Sequence, residues 1–218
     1  MSNDSLTHQP WVCMSSSSGV TFEKTWSLLS PAAKDSFQGF FCDSECGSLE
    51  WAKKHLDPEK VFYFPRKEFE LAFLNWSQKH QVGVVFLCGF FKILSAEFLE
   101  DCSSVFVNTH PSLLPAFPGL EKKVHREVFE SVCLSGFSVH LVNASLDGGP
   151  IIFQHPVSII GSEDVDESRA RVRASEQRLL APVLESVLKS QLKSEDRNLS
   201  TKKLHEKYNL GMTSFKEC

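Results

Sequence analysis

The stretch that most constrains this chain is VGVVFL, Val82 to Leu87. An unbroken apolar strand has no polar face to turn to water. It needs cover on both sides, which is the condition of a strand inside a parallel sheet. The surrounding sequence agrees. PWVCM (Pro10–Met14), FQGFFC (Phe37–Cys42), KVFYF (Lys60–Phe64) and SVFVN (Ser104–Asn108) read as further strands. Between them lie helical patterns. In SSSSGVTFEKTW (Ser15–Trp26), Phe22 and Trp26 stand at i and i+4. SLEWAKKHL (Ser48–Leu56) starts on a candidate capping serine, Ser48. RKEFELAFLNWSQKH (Arg66–His80) puts Phe69, Phe73 and Trp76 on one face, and SAEFLEDC (Ser95–Cys102) is a capped helix. Strand and helix thus alternate about every 15 to 20 residues through Asn108. This predicts an α/β fold with a doubly wound, mostly parallel sheet flanked by helices.

The second half departs from that rhythm. HREVFESVCL (His125–Leu134) reads as a helix. GFSVHLV (Gly136–Val142) and PIIFQHPVSI (Pro150–Ile159) then flank NASLDGG, which predicts an antiparallel hairpin with a wide connecting loop. Residues Asp166–Lys193 form one long helical pattern, expected to kink or break near Pro182. One domain over residues 1–193 is expected, followed by a polar C-terminal tail, 194–218.

A chain of 218 residues, 42% hydrophobic, holds a sizeable core. Its net charge of -4 supplies no bulk basic field, so no nucleic-acid partner is expected. The N-terminal MSNDSLTHQPWVCMSSSS lacks an apolar core of signal-peptide length, and the longest apolar run, Val82–Phe91, is about half a bilayer span. The expectation is a cytoplasmic protein without membrane contact. The seven cysteines are odd in number, and Cys13, Cys88 and Cys133 sit in apolar stretches. They read as reduced core thiols. The spacing of CDSEC (Cys42, Cys46) does not match a common zinc knuckle, and no metal is expected.

The chemistry concentrates at VNTHPSLLPAFPG, Val107–Gly119. Ligands of open α/β sheets bind outside the carboxyl ends of strands. Asn108 and His110 stand at such an end, two apart, and so project to one side. An amide donor and an imidazole suit acyl chemistry: one stabilises an oxyanion, the other moves a proton near neutral pH. Turn capping by Asn108 and packing by His110 fit the same residues. The prolines behind them restrict the loop. In SLDGG (Ser145–Gly149), Asp147 is a carboxylate in a glycine-flanked loop, a pattern that plain turn chemistry also produces.

Taken together, NTHPSLLPAFPG and GFSVHLVNASLDGGPIIFQ (Gly136–Gln154) resemble the catalytic signature of the formyltetrahydrofolate-dependent formyltransferases. The resemblance runs from about Pro10 to Lys189 and is strongest from Val84 to Gln154, where LCGFFKILSAEFL also fits. It implies that Asn108, His110 and Asp147 act on the formyl group of 10-formyltetrahydrofolate, the co-substrate. It also implies a nucleotide-binding half over about 10–108 and a folate and catalytic half over about 84–193. Folate would meet Arg66, Phe91, Lys92, Ile93, Leu94, Val142, Asn143 and Asp147, with Phe90 beside them. Glu176 would meet the acceptor's ribose, and Ser16, Ser17, Ser18 and Gly19 its phosphate. The Leu114–Pro115 bond is expected to be cis by the same resemblance. Partners would be small molecules only, and both a monomer and a homodimer fit.

Members of similar length that formylate glycinamide ribonucleotide in purine synthesis match best, chiefly through His-Pro-Ser-Leu-Leu-Pro. Other readings are another amine acceptor, hydrolysis of formyltetrahydrofolate, or a folate- or nucleotide-binding protein without turnover. Two departures stand out. The phosphate loop, SSSSGVTF (Ser15–Phe22), has one glycine where the family usually has two, and one extra residue. The loop before His125 is about two residues longer than usual, with Lys122 and Lys123 expected near the cleft mouth.

Overall fold

The computed structural model describes residues 8–208 and 210 of the chain. Seven strands form one sheet: β1 (Trp11–Ser15), β2 (Phe37–Cys42), β3 (Val61–Tyr63), β4 (Val84–Leu87), β5 (Val105–His110), β6 (Leu134–Leu141) and β7 (Ile151–Ser158). Their order is β3-β2-β1-β4-β5-β6-β7. The first five strands run parallel, and β5, β6 and β7 pair antiparallel. The doubly wound sheet and the C-terminal hairpin are therefore both present.

The unbroken apolar runs have a direct cause. Successive strand residues face opposite sides of the sheet. In β1, Trp11 and Cys13 enter one core cluster and Val12 and Met14 the other. In β4, Val84 and Phe86 alternate in the same way with Val85 and Leu87. Both faces are covered. α1 (Val20–Leu28), α2 (Pro31–Asp35), α3 (Gly47–His55), α6 (Glu121–Ser131) and α7 (Val165–Lys189) contribute buried residues or contacts on the first side. α4 (Phe69–Ser77) and α5 (Ala96–Asp101) cover the second. Trp11 is fully buried, and its indole N–H donates to the Ala33 carbonyl at 2.8 Å. A buried indole needs such a partner.

Several boundaries differ from expectation. Ser48 does not cap α3. The helix begins at Gly47 with Cys46 before it, and Ser48 is buried in the first turn, its N–H bonded to the Ser17 carbonyl. α4 is shorter than the pattern Arg66–His80, and α6 begins at Glu121 and stops at Ser131, so Leu134 opens β6 instead. The short α2 lies outside the elements expected from the sequence, although Ser30 accepts from the Ala33 N–H and Pro31 sits at the first helical position. α7 runs unbroken through Pro182. A proline there removes one helical hydrogen bond, and the burial of Leu180, Ala181, Val183 and Leu184 around it holds the axis together. Cys133 is exposed at the junction of α6 and β6, not a core thiol, whereas Cys13 and Cys88 are buried. Burial pushes both of their thiols well up from the ordinary range.

The polar segment from Ser194 forms a 3-10 turn (Ser194–Asn198) and α8 (Thr201–Tyr208), and Leu204 of α8 and Leu210 beyond it join the core. Residues 209 and 211–218 and the Lys122 side chain lie outside the described residues. No helix among the described residues is long and apolar enough to cross a membrane.

Candidate active site

The sheet reverses direction of winding between β1 and β4, the switch point at which open α/β sheets form their crevice. A cavity of about 630 Å³ opens there. Its walls come from the loop after β1, the loop after β4, the end of β5, the loop after β6 and one stripe of α7.

β5 runs two residues beyond Asn108, because it pairs there with β6: Asn108 opposes His140 and His110 opposes Ser138. Asn108 and His110 therefore share a face, and the register adds a second imidazole, His140. The Asn108 amide Nδ2 lies 3.2 Å from His140 Nε2. His140 Nδ1 lies 2.9 Å from the Leu141 carbonyl, which only accepts, so Nδ1 carries the proton and Nε2 accepts from Asn108. Burial lowers the His140 pKa, against the pull of Asp147, and keeps this ring neutral. One amide hydrogen of Asn108 is thus held by His140, and the other remains for a ligand.

His110 is 4% exposed. Its Nε2 lies 2.9 Å from the Phe117 carbonyl, and its Nδ1 lies 3.5 Å from Asp147 Oδ2. Asp147 Oδ1 is 3.7 Å from His140 Nε2, so one carboxylate faces both imidazoles at ion-pair distance. Asp147 adopts a left-handed backbone (φ 51°), which an aspartate accepts more readily than most residues. The Gly119 N–H donates to its Oδ2 at 2.8 Å.

The proline loop is pinned from below. The buried Ser138 hydroxyl donates to the Ser112 carbonyl at 2.6 Å and accepts the Leu114 N–H at 3.0 Å. Gln154 donates to the Leu114 carbonyl at 2.7 Å, and the Leu114–Pro115 bond is cis. Asn108, His110 and Asp147 are thus brought together, although 37 positions separate His110 from Asp147 in the chain.

The other expected residues divide. Phe91, Lys92, Ile93, Leu94, Val142 and Asn143 line the cavity, as do Ser17, Ser18 and Glu176. Ser16, Gly19 and Arg66 do not. The Ser16 hydroxyl donates to Asp43 at 2.6 Å, and Arg66 Nε pairs with the same carboxylate at 3.0 Å. Gly19 precedes α1 with φ 84°, and a Cβ there would meet the Ser48 Cα at 2.7 Å. It is the glycine that lets the chain turn tightly into α1. No side chain caps that helix, so its first N–H groups are available to an anion, whereas in the serine loop the Ser16 N–H donates to the Gly89 carbonyl at 2.9 Å and the Gly19 N–H to the Ser17 hydroxyl at 3.4 Å.

Glu176 accepts from the Thr109 hydroxyl at 2.6 Å, and burial raises its pKa despite that bond. His140, Arg169 and Arg173 also line the cavity and were not among the residues expected there from the sequence. Their signals are a histidine inside an apolar strand and arginines three and seven positions before Glu176, on the same face of α7. Glu121, at the start of α6, holds Arg169 at 2.7 Å and Arg173 at 3.5 Å. A hydrogen bond from His125, then Arg169, lowers its pKa to about 2 against the opposing effect of burial. Among the described residues no group of three histidine, cysteine, aspartate or glutamate side chains is arranged to hold a metal ion.

A doubly wound sheet with polar side chains converging at its switch point defines an α/β protein that handles a small molecule. Comparison with known proteins makes the class specific. A family described as formyl transferase matches residues 42–184. The chain belongs to that family. It is similar to the phosphoribosylglycinamide formyltransferase of Mycobacterium tuberculosis, 34% identical over 144 residues, covering 63% of this chain and 66% of that protein. The enzyme of the same name from Escherichia coli is 33% identical over 132 residues, covering 60% of this chain and 61% of that one. The matched stretch thus spans less than two thirds of either relative. Among solved structures, glycinamide ribonucleotide transformylase 1 from Symbiobacterium toebii superposes with a TM-score of 0.71 at 26% identity, covering 84% of this chain and 88% of that one. Phosphoribosylglycinamide formyltransferase from Brucella melitensis gives 0.71 at 28%, covering 83% and 96%.

Proposed function

We propose that this chain transfers the formyl group of 10-formyltetrahydrofolate to the amine of glycinamide ribonucleotide. The observation that carries this reading is the convergence of Asn108, His110 and Asp147 on one cavity whose other end is the uncapped N-terminus of α1. The amine nitrogen attacks the formyl carbon, and the carbonyl oxygen takes the negative charge. The free amide hydrogen of Asn108 and protonated His110 donate to that oxygen. Asp147 stabilises the imidazolium and relays the proton that the amine loses to the departing folate nitrogen. The bond from carbon to the folate nitrogen then breaks, leaving the N-formyl product and tetrahydrofolate.

Phe91, Lys92, Ile93, Leu94, Val142 and Asn143 form the folate wall in this reading. Ser17 and Ser18, with the first turn of α1, receive the acceptor's phosphate, and Glu176 receives its ribose. Arg173 lines the same end and supplies the positive charge that the single-glycine loop does not. Replacing Arg173 with methionine is expected to raise the KM for glycinamide ribonucleotide by about tenfold or more, since a charged hydrogen bond contributes roughly 1.5–3 kcal/mol. The KM for folate is expected to stay within about twofold. Steady-state kinetics with each substrate varied in turn checks both numbers.

The reading itself is tested by the product. After incubation with both substrates, NMR is expected to show the formyl proton on the glycinamide nitrogen. Free formate in its place would indicate hydrolysis, and an unchanged ribonucleotide would reject it as the acceptor.

A further inference from the structure

The described C-terminal elements do more than close the core. Asp147 sits on the loop 142–150 between β6 and β7, and both ends of that loop are bonded to residues 197–205. At the near end, the Asn143 amide donates to the Arg197 carbonyl at 3.4 Å. At the far end, the Ile151 N–H donates to the Thr201 hydroxyl at 3.0 Å, and His205 Nε2 donates to the Ile151 carbonyl at 2.9 Å. The holding segment is itself stiff. Asp196, almost fully buried, accepts from the Lys193 N–H, Lys207 and Tyr208 at 2.7, 2.7 and 2.5 Å. Arg197 reaches the Leu99 carbonyl, and Leu204 is fully buried.

The loop needs such support. Asp147 holds a left-handed backbone, a conformation that persists only where the surroundings determine it. Gly149 packs so closely that a Cβ would fall 1.8 Å from the Leu141 carbonyl oxygen. The tip is bonded to Gly119 and the two ends to the C-terminal segment. We propose that Ser194–Tyr208 is a clasp that positions the catalytic loop and acts on formyl transfer through Asp147. Thr201 and His205 are its positioning residues, and the proposal rests on the catalytic reading above.

The test is the double variant Thr201→Val/His205→Leu, with Thr201→Ser as the conservative control. The double variant is expected to lose about tenfold in kcat, because sub-ångström misplacement of a catalytic group is felt in the rate. Its KM for the acceptor should change less than about twofold, and Thr201→Ser should keep wild-type kcat within the same margin. In an Asp147→Asn background the double change should have almost no further effect. A tenfold loss that persists in that background overturns the proposal, as does an unchanged kcat beside Asp147. Hydrogen exchange gives a reading independent of turnover. The Gly148 amide, bonded to the Ser145 carbonyl at 3.0 Å, should exchange about tenfold faster in the double variant, and the Val107 amide should not. Equal protection of Gly148 in both proteins overturns the clasp even if wild-type chemistry proves different. Absence of wild-type turnover would instead refute the catalytic reading alone.

Discussion

His110→Ala is expected to lower kcat for formyl transfer by about 10³-fold or more, since it removes an oxyanion donor together with the imidazolium whose charge Asp147 balances. The imidazole opposite Asn108 does not stand ready to replace it. His140, the second imidazole, is occupied by the Leu141 carbonyl and the Asn108 amide, and burial keeps it neutral. The fold should survive. The Phe117 carbonyl loses one donor but also accepts from the Ser112 hydroxyl at 3.2 Å. Asp147 retains the Gly119 N–H. Losing one such bond costs about 1–3 kcal/mol, which leaves a domain of this size folded. Circular dichroism and thermal unfolding check the fold, and initial rates of tetrahydrofolate release check the chemistry. A rate within tenfold of wild type would refute the assignment.

The second large effect is expected at Asp147→Asn. The change keeps the size of the side chain and an oxygen for the Gly119 N–H. It removes the charge that faces His110 at 3.5 Å and His140 at 3.7 Å. An imidazolium forming beside a neutral amide loses its counter-charge in a low-dielectric site, where the loss is felt most. The expected fall in kcat is about 10²-fold or more, the range of a lost general acid-base partner. The KM for glycinamide ribonucleotide should hardly move, because in the proposed reading its phosphate and ribose meet Ser17, Ser18 and Glu176 and not Asp147. Single-turnover rates at saturating folate separate the chemical step from binding. A fall confined to KM would make Asp147 a binding residue.

Much of this architecture was legible in the sequence, for a physical reason. A strand covered on both faces has no polar residue to interrupt it, so Val84–Leu87 announces itself. Asn108 and His110 were legible because an amide and an imidazole at the end of an apolar strand have little to do there except chemistry or capping. Asp147 was visible only when its loop was set beside theirs. His140 was hidden because its role depends on the β5–β6 register, which pairs it with Asn108 across the sheet. Arg173 is one of many charges on a long helix, and only the packing of α7 against α1 sets it apart. Ser16 and Arg66 illustrate the opposite limit. The family resemblance led both to be expected at a ligand, yet both side chains turn to the buried Asp43. The contacts of the C-terminal elements with Ile151 and Asn143 had no sequence signal, since they are long-range bonds to backbone and loop atoms.

The central claim is that Asn108, His110 and Asp147 pass a formyl group to an amine. The most direct measurement is the rate of tetrahydrofolate release from 10-formyltetrahydrofolate, with glycinamide ribonucleotide varied from zero to saturation. The expected rate is close to zero without the amine and rises hyperbolically with it. A rate independent of the amine, or none at any concentration, would contradict it.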